Sequence, residues 1–100
     1  MTTQDQNLQS HLRLEVDIVA AKVPELRSQL RALVDAGAPH LVLDLSQVRM
    51  VDSMGVGLLI SVHNTLKKAG RQLSVIHVSK DIFDLFRTLR MHQHFSISGD

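Results

Sequence analysis

No cysteine occurs in the 100-residue chain, which excludes a disulfide framework, a thiolate metal site and a cysteine nucleophile. Tryptophan and tyrosine are missing as well, and three phenylalanines are too few for a base-stacking platform or an aromatic cage. No window approaches the run of about 18 apolar residues that a membrane-spanning helix needs. The N-terminal stretch MTTQDQNLQSHL lacks the charged-then-apolar pattern of a signal peptide. Charge of one sign is not in excess either: 11 Lys and Arg stand against 10 Asp and Glu, for a net charge of +1. They are mixed along the chain and do not form the basic stripe of a nucleic-acid binder. What remains, 44% apolar and 21% charged side chains, describes one soluble globular domain with a modest core. The expectation is a cytoplasmic protein with no nucleic-acid partner and no direct membrane insertion.

The first seven residues are polar and read as frayed, and Ser98 to Asp100 read as the end of the domain. From His11 to Ile18 the chain alternates, with Leu12, Leu14, Val16 and Ile18 on one side and Arg13, Glu15 and Asp17 on the other, the period of a half-buried strand. Pro24 suits a first helical turn, and Leu26, Leu30, Leu33 and Val34 recur at helical spacing until Gly37 and Pro39, so a helix is predicted over 24–36. His40 to Leu45 reads as a strand buried on both faces, followed by a loop from Ser46 to Asp52. Leu59, Val62, Leu66 and Ala69 then form a stripe that predicts a helix over 54–69, with Gly70 to end it. Leu73 to Val78 is another apolar strand. Ser79 is a good N-cap for a helix carrying Ile82, Leu85, Phe86 and Leu89, and His94 to Ile97 supply a last short strand. This β-α-β-α-β-α order implies an α/β domain with a mixed, partly parallel sheet and helices packed mainly on one face.

The segment that breaks ordinary rules is Val51-Asp52-Ser53-Met54-Gly55-Val56-Gly57, between a buried strand and a helix start. Glycine weakens a helix by about 1 kcal/mol relative to alanine, so two of them in one first turn need a reason. Either the first turn packs closely, Gly55 against the strand ending at Leu45, or a partner needs access to the backbone and side chain at Ser53. The plain alternative is that Asp52 or Ser53 simply caps the helix.

Other chemistries fail on spacing. A dinucleotide fingerprint would need a third glycine where Ile60 stands, and no phosphate-loop Gly-Lys-Ser/Thr exists. Ser53 has no glycine two residues before it, as a hydrolase nucleophile elbow requires. His92-Gln93-His94 has no neighbouring carboxylate to complete a metal clamp and reads as an exposed helix end. His63, further along the second helix, reads as a half-exposed surface residue and not as a base. No catalytic residue, metal or cofactor is expected.

With Leu41-Val42-Leu43-Asp44-Leu45-Ser46 before it, and Leu58-Leu59 after it, the Val51–Gly57 segment resembles the signature of STAS domains, the sulfate transporter and anti-sigma factor antagonist family. The resemblance runs from about Leu12 to Ile97. It takes in Pro24-Glu25-Leu26 opening the first helix, Ala69-Gly70 closing the second, and Ser79 followed by Ile82, Leu85 and Phe86. In the stand-alone antagonists of this family the residue after the motif aspartate is a serine or threonine, phosphorylated by a partner that is both anti-sigma factor and kinase. That residue here is Ser53. The family commonly has Gly-x-Leu/Ile-Asp after its second strand, whereas Val16, Asp17, Ile18 and Val19 lack both the glycine and the aspartate, leaving Asp17 as that loop's acidic residue.

The resemblance implies a bacterial, non-enzymatic anti-sigma factor antagonist in a partner-switching pathway. Unphosphorylated, it would bind a serine-kinase anti-sigma factor of the histidine-kinase-like ATPase superfamily. Phosphorylation of Ser53 would release it, and a metal-dependent serine phosphatase would restore it. The candidate docking surface comprises Asp52, Met54, Gly55, Val56, Gly57, Ile60, His63 and Lys67, with Asp17 beside them. A second row of core residues is the competing reading for Val56 and Ile60. Two other functions fit a stand-alone STAS domain: a subunit of a membrane lipid-transport ATPase complex, and a scaffold in a larger sensory assembly.

Overall fold

A computed structural model describes residues 9–99, so the expectation of a frayed segment at residues 1–7 lies outside the described residues. Strand β1 (Gln9–Arg13) leads through a 3-10 turn (Ala20–Lys22) into helix α1 (Val23–Asp35) and strand β2 (His40–Asp44). Helix α2 (Ser53–Lys68), strand β3 (Gln72–Val78), helix α3 (Lys80–Thr88), a second 3-10 turn (Met91–Gln93) and strand β4 (Ser96–Gly99) follow. The spatial order is β1-β2-β3-β4 and every pairing between these strands is parallel, more uniform than the mixed sheet expected.

That order fixes the layers. Parallel neighbours that are also consecutive need a crossover at each step, and crossovers of one hand progressing in one direction leave all their helices on the same face. The row Leu12, Leu43, Val75 and Ile97 runs across the sheet in register on that face, alongside Leu41 and Leu73. Against these pack Leu26 and Leu30 of α1, Leu58, Leu59, Val62 and Leu66 of α2, and Ile82 and Phe86 of α3, all in one apolar core. Val42 is buried as well but outside that cluster, in register with His11 and Ser74 on the opposite face. Strand β2 is thus buried on both faces, as its apolar run implied.

Three elements depart from the sequence expectation. The strand expected over His11–Ile18 ends at Arg13, although Leu14 still donates to the Asp44 carbonyl at 3.0 Å. Beyond that point β2 turns away, its Asp44 carboxylate accepting from the Ser46 amide at 2.8 Å, so residues 15–17 have no ladder to join. The alternation is nevertheless used, since Leu14 and Ile18 are fully buried. The last strand begins at Ser96, two residues late, because the amides of His94 and Phe95 still donate to the Met91 carbonyl. Leu89, read as part of the α3 stripe, is 47% exposed at that helix's C-cap. Helix α2 ends as expected at Gly70, whose positive φ lets Gly70 and Arg71 donate back to the carbonyls of Lys67 and Leu66.

Candidate functional site

Two loops meet at the N-terminus of α2. The Ile18 amide donates to the Met50 carbonyl at 3.0 Å and the Asp52 amide to the Ile18 carbonyl at 3.2 Å, a short parallel bridge that joins the post-β1 loop to the post-β2 loop. Asp17 strengthens this junction, its Oδ1 accepting from the amides of Arg49 at 2.8 Å and Met50 at 3.2 Å. Asp17, which the sequence offered as the loop's acidic contribution to a docking surface, is therefore occupied in shaping the backbone beneath Met50.

Asp52 binds in two directions. Its Oδ1 caps α2 by accepting from the Gly55 amide at 2.9 Å, and its Oδ2 accepts from the Ala20 amide at 2.9 Å across the junction. Asp52 itself is in extended conformation, as an N-cap should be. Bonds from the amides of Ala20 and Gly55 hold its carboxyl below the ordinary value of 3.8. The capping explanation thus applies to Asp52, which leaves Ser53, at the first helical position, exposed and free of that structural duty.

The sign of the linkage follows from that lowered pKa. Stability contributed by a depressed carboxyl is fully present above its unfolded value near 3.8 and is lost as pH falls through the folded value. Asp52→Asn places an amide donor against one of the two backbone N–H groups. We expect it to lower Tm at pH 7 and to show a shallower loss of Tm than wild type below pH 4. Parallel pH profiles for the two proteins would contradict this role.

Gly55 is buried for a reason the sequence misplaced. The close neighbour of the first turn is the backbone of Ile18, in the post-β1 loop, and not the strand ending at Leu45. A Cβ at residue 55 would meet the Ile18 carbonyl group and come within 2.8 Å of its Cγ2. Gly57 is exposed, with nothing within 4 Å of the position a Cβ would take.

The remaining candidates divide along the helix. Met54 is 55% exposed, whereas Val56 and Ile60 are half-buried and pack against the core, leaving only their outer edges open to solvent. His63, expected to be half-exposed, is only 8% exposed. Its ring lies 5.9 Å from that of His94 and 5.5 Å from that of Phe95, centroid to centroid, because the segment before β4 folds over it. Lys67 is exposed but stands about 21 Å along the helix from Ser53, at 1.5 Å per residue, too far to belong to one compact patch with it. Met50 is the residue that the sequence reading passed over. It is 59% exposed in the loop beside Met54's helix start, while its neighbours Val48 and Val51 are buried. A lone methionine between two valines that both turn inward was the available signal. Among the described residues no group of three or more His, Asp or Glu side chains could hold a metal ion, and no helix is long and apolar enough to cross a membrane.

Comparison with known proteins bears on this site. Residues 1–97 match a family model described as "Mlab, STAS domain". The chain is 31% identical over 85 residues to the anti-sigma-B factor antagonist of Staphylococcus aureus, covering 85% of this chain and 77% of that one. To the anti-sigma-B factor antagonist of Bacillus subtilis it is 30% identical over 95 residues, covering 95% and 84%. In fold it is similar to a crystal structure of a putative anti-sigma factor antagonist from Thermotoga maritima, with a TM-score of 0.86 at 12% identity, covering 94% of this chain and 81% of that one. The anti-sigma factor antagonist SpoIIAA in its unphosphorylated form gives a TM-score of 0.70 at 18% identity, with the same coverage.

Proposed function

Because the chain belongs to the STAS domain family and has anti-sigma factor antagonists among its relatives, we propose that it is a binding regulator whose affinity for an anti-sigma factor is switched at Ser53. The observation that carries this reading is the placement of Ser53. Its side chain is exposed at the first position of α2, directly after a carboxylate already engaged as the cap, and near the exposed Met50 and Met54.

In the unphosphorylated protein this end of α2 offers a docking surface with an apolar centre made by Met50, Met54, Gly57 and the outer edges of Val56 and Ile60, with Arg49 and Asp52 beside it. Asp17, Asp52 and Gly55 hold its backbone in shape. The partner is a serine-kinase anti-sigma factor that transfers the terminal phosphoryl group of ATP to Ser53 Oγ; the bond from that phosphorus to the bridging oxygen breaks, ADP leaves, and the hydroxyl proton goes to solvent or a base of the kinase. The phosphate brings about −1.5 to −2 charges beside Asp52. First-turn amides and the helix dipole tolerate that charge, so the fold survives while the apolar docking surface is lost. A metal-dependent phosphatase would reverse the step.

The direct test is to recover the partner with the tagged protein and incubate the pair with ATP. One phosphate, mapped to Ser53, is the expected product. Phosphate found only on Ser46, Ser61 or Ser79 would refute the reading, and recovery of a transporter ATPase with no kinase would assign the chain to a lipid-transport complex.

A further inference from the structure

At the far end of α2 from Ser53, a cavity of about 320 Å³ opens between the helix, the start of β3 and the segment leading into β4. Four of its lining residues are basic or can become so: His63 and Lys67 from α2, Arg71 before β3, and His94 from the segment that folds over the helix. Among the described residues none that lines it is acidic, although the chain as a whole carries 11 basic against 10 acidic residues. From this arrangement we propose that the cavity is a binding site for a phosphate group, borne by a small molecule or a headgroup, with His63, Lys67, Arg71 and His94 around it.

The wall is built, not merely decorated with surface lysines. Arg71 is half-buried and fixed, its Nη1 donating to the carbonyls of Val34 at 2.8 Å and Ala38 at 3.3 Å. His63 is buried beneath the rings of His94 and Phe95, and among the described residues no hydrogen bond holds its ring. His63 is nevertheless one of the residues that line the cavity. The volume lies at the low end of the roughly 300–1,000 Å³ typical of ligand sites, which suits a small phosphorylated compound.

The groups facing one another across this cavity also set its pH response. In the free protein, burial first, then the charges of His94 and Lys67, hold the His63 ring below its ordinary value of 6.5. An anion seated among them attracts the charged His63 ring, and so favours its protonated form against the burial and the positive neighbours that disfavour it. Occupancy should therefore rise as pH falls from 8 to 6.

The inference stands apart from the Ser53 reading, and its test reads neither kinase nor partner. The full chain is titrated with inorganic phosphate at pH 6 and pH 8, following the ring proton signals of His63 and His94 by NMR, for wild type, Lys67→Gln and His94→Asn. Both substituted residues are exposed, so unchanged unfolding curves are expected. We expect saturable shifts of both rings in wild type, with affinity at least fivefold weaker at pH 8 and at least fivefold weaker in each variant at pH 6. Absence of saturable shifts, or equal binding by wild type and both variants, overturns the site. Co-sedimentation with phosphatidylglycerol vesicles but not phosphatidylcholine vesicles, lost in Lys67→Gln, would identify a lipid headgroup as the source. Phosphate binding without co-sedimentation identifies a soluble phosphorylated molecule.

Discussion

Gly55→Val is expected to destabilise the protein by about 3 kcal/mol, the upper part of the usual range for overpacking. The new Cβ would lie on the carbonyl group of Ile18, and that carbonyl cannot simply retreat. It accepts from the Asp52 amide, while the Ile18 amide is held by the Met50 carbonyl, so making room means opening the junction between the two loops. At roughly 4–8 °C per kcal/mol for a domain of this size, the unfolding midpoint should fall by more than about 10 °C. Gly57→Ala is the control two residues away. With nothing within 4 Å, alanine there should be neutral or stabilising by up to about 1 kcal/mol. A Gly55→Val protein that melts with wild type would remove the close approach from the argument. Gly57→Ala should also bind or be phosphorylated less well despite its stability, because its methyl group adds to the docking surface. Normal binding by that variant would mean the surface around Ser53 is misplaced.

The largest effect on function is expected at Ser53. Ser53→Asp and Ser53→Glu should weaken the complex with the kinase partner by about a hundredfold, equivalent to roughly 3 kcal/mol of binding free energy. Ser53→Ala should bind like wild type and should no longer be released on addition of ATP. The contrast is informative because the side chain at residue 53 is exposed and the cap of α2 is provided by Asp52. All three substitutions should therefore leave the unfolding midpoint within a few degrees of wild type, and changes in affinity report on the docking surface alone. Equal affinity of all three for the partner in a calorimetric titration would exclude charge at this position as the switch.

The sequence by itself determined the periodic elements and singled out Ser53 as the place of the proposed switch. Helices α1, α2 and α3, strands β2 and β3, and the caps at Ser79 and Gly70 were legible because each depends on local spacing or on a local side-chain bond, whereas the choice between Asp52 and Ser53 as the cap of α2 was left to the structure. The segment around Ser53 stood out because it breaks helix rules with no local gain visible, and the resemblance to STAS domains then pointed to Ser53 itself. What the tertiary structure decided are the matters that depend on who lies opposite. β1 stops at Arg13 because its neighbour turns away, which no alternation within β1 can announce. Gly55 is required by a carbonyl 37 positions earlier in the chain, and Asp52 reaches an amide on Ala20, a backbone group that leaves no trace in residue identity. His63 passed for a surface residue by its place on the helical wheel, until the segment carrying His94 and Phe95 folded across it. Periodicity reports which face of an element is apolar. It does not report which distant loop will be laid against that face, since register between segments is set only when the whole sheet and its crossovers are assembled.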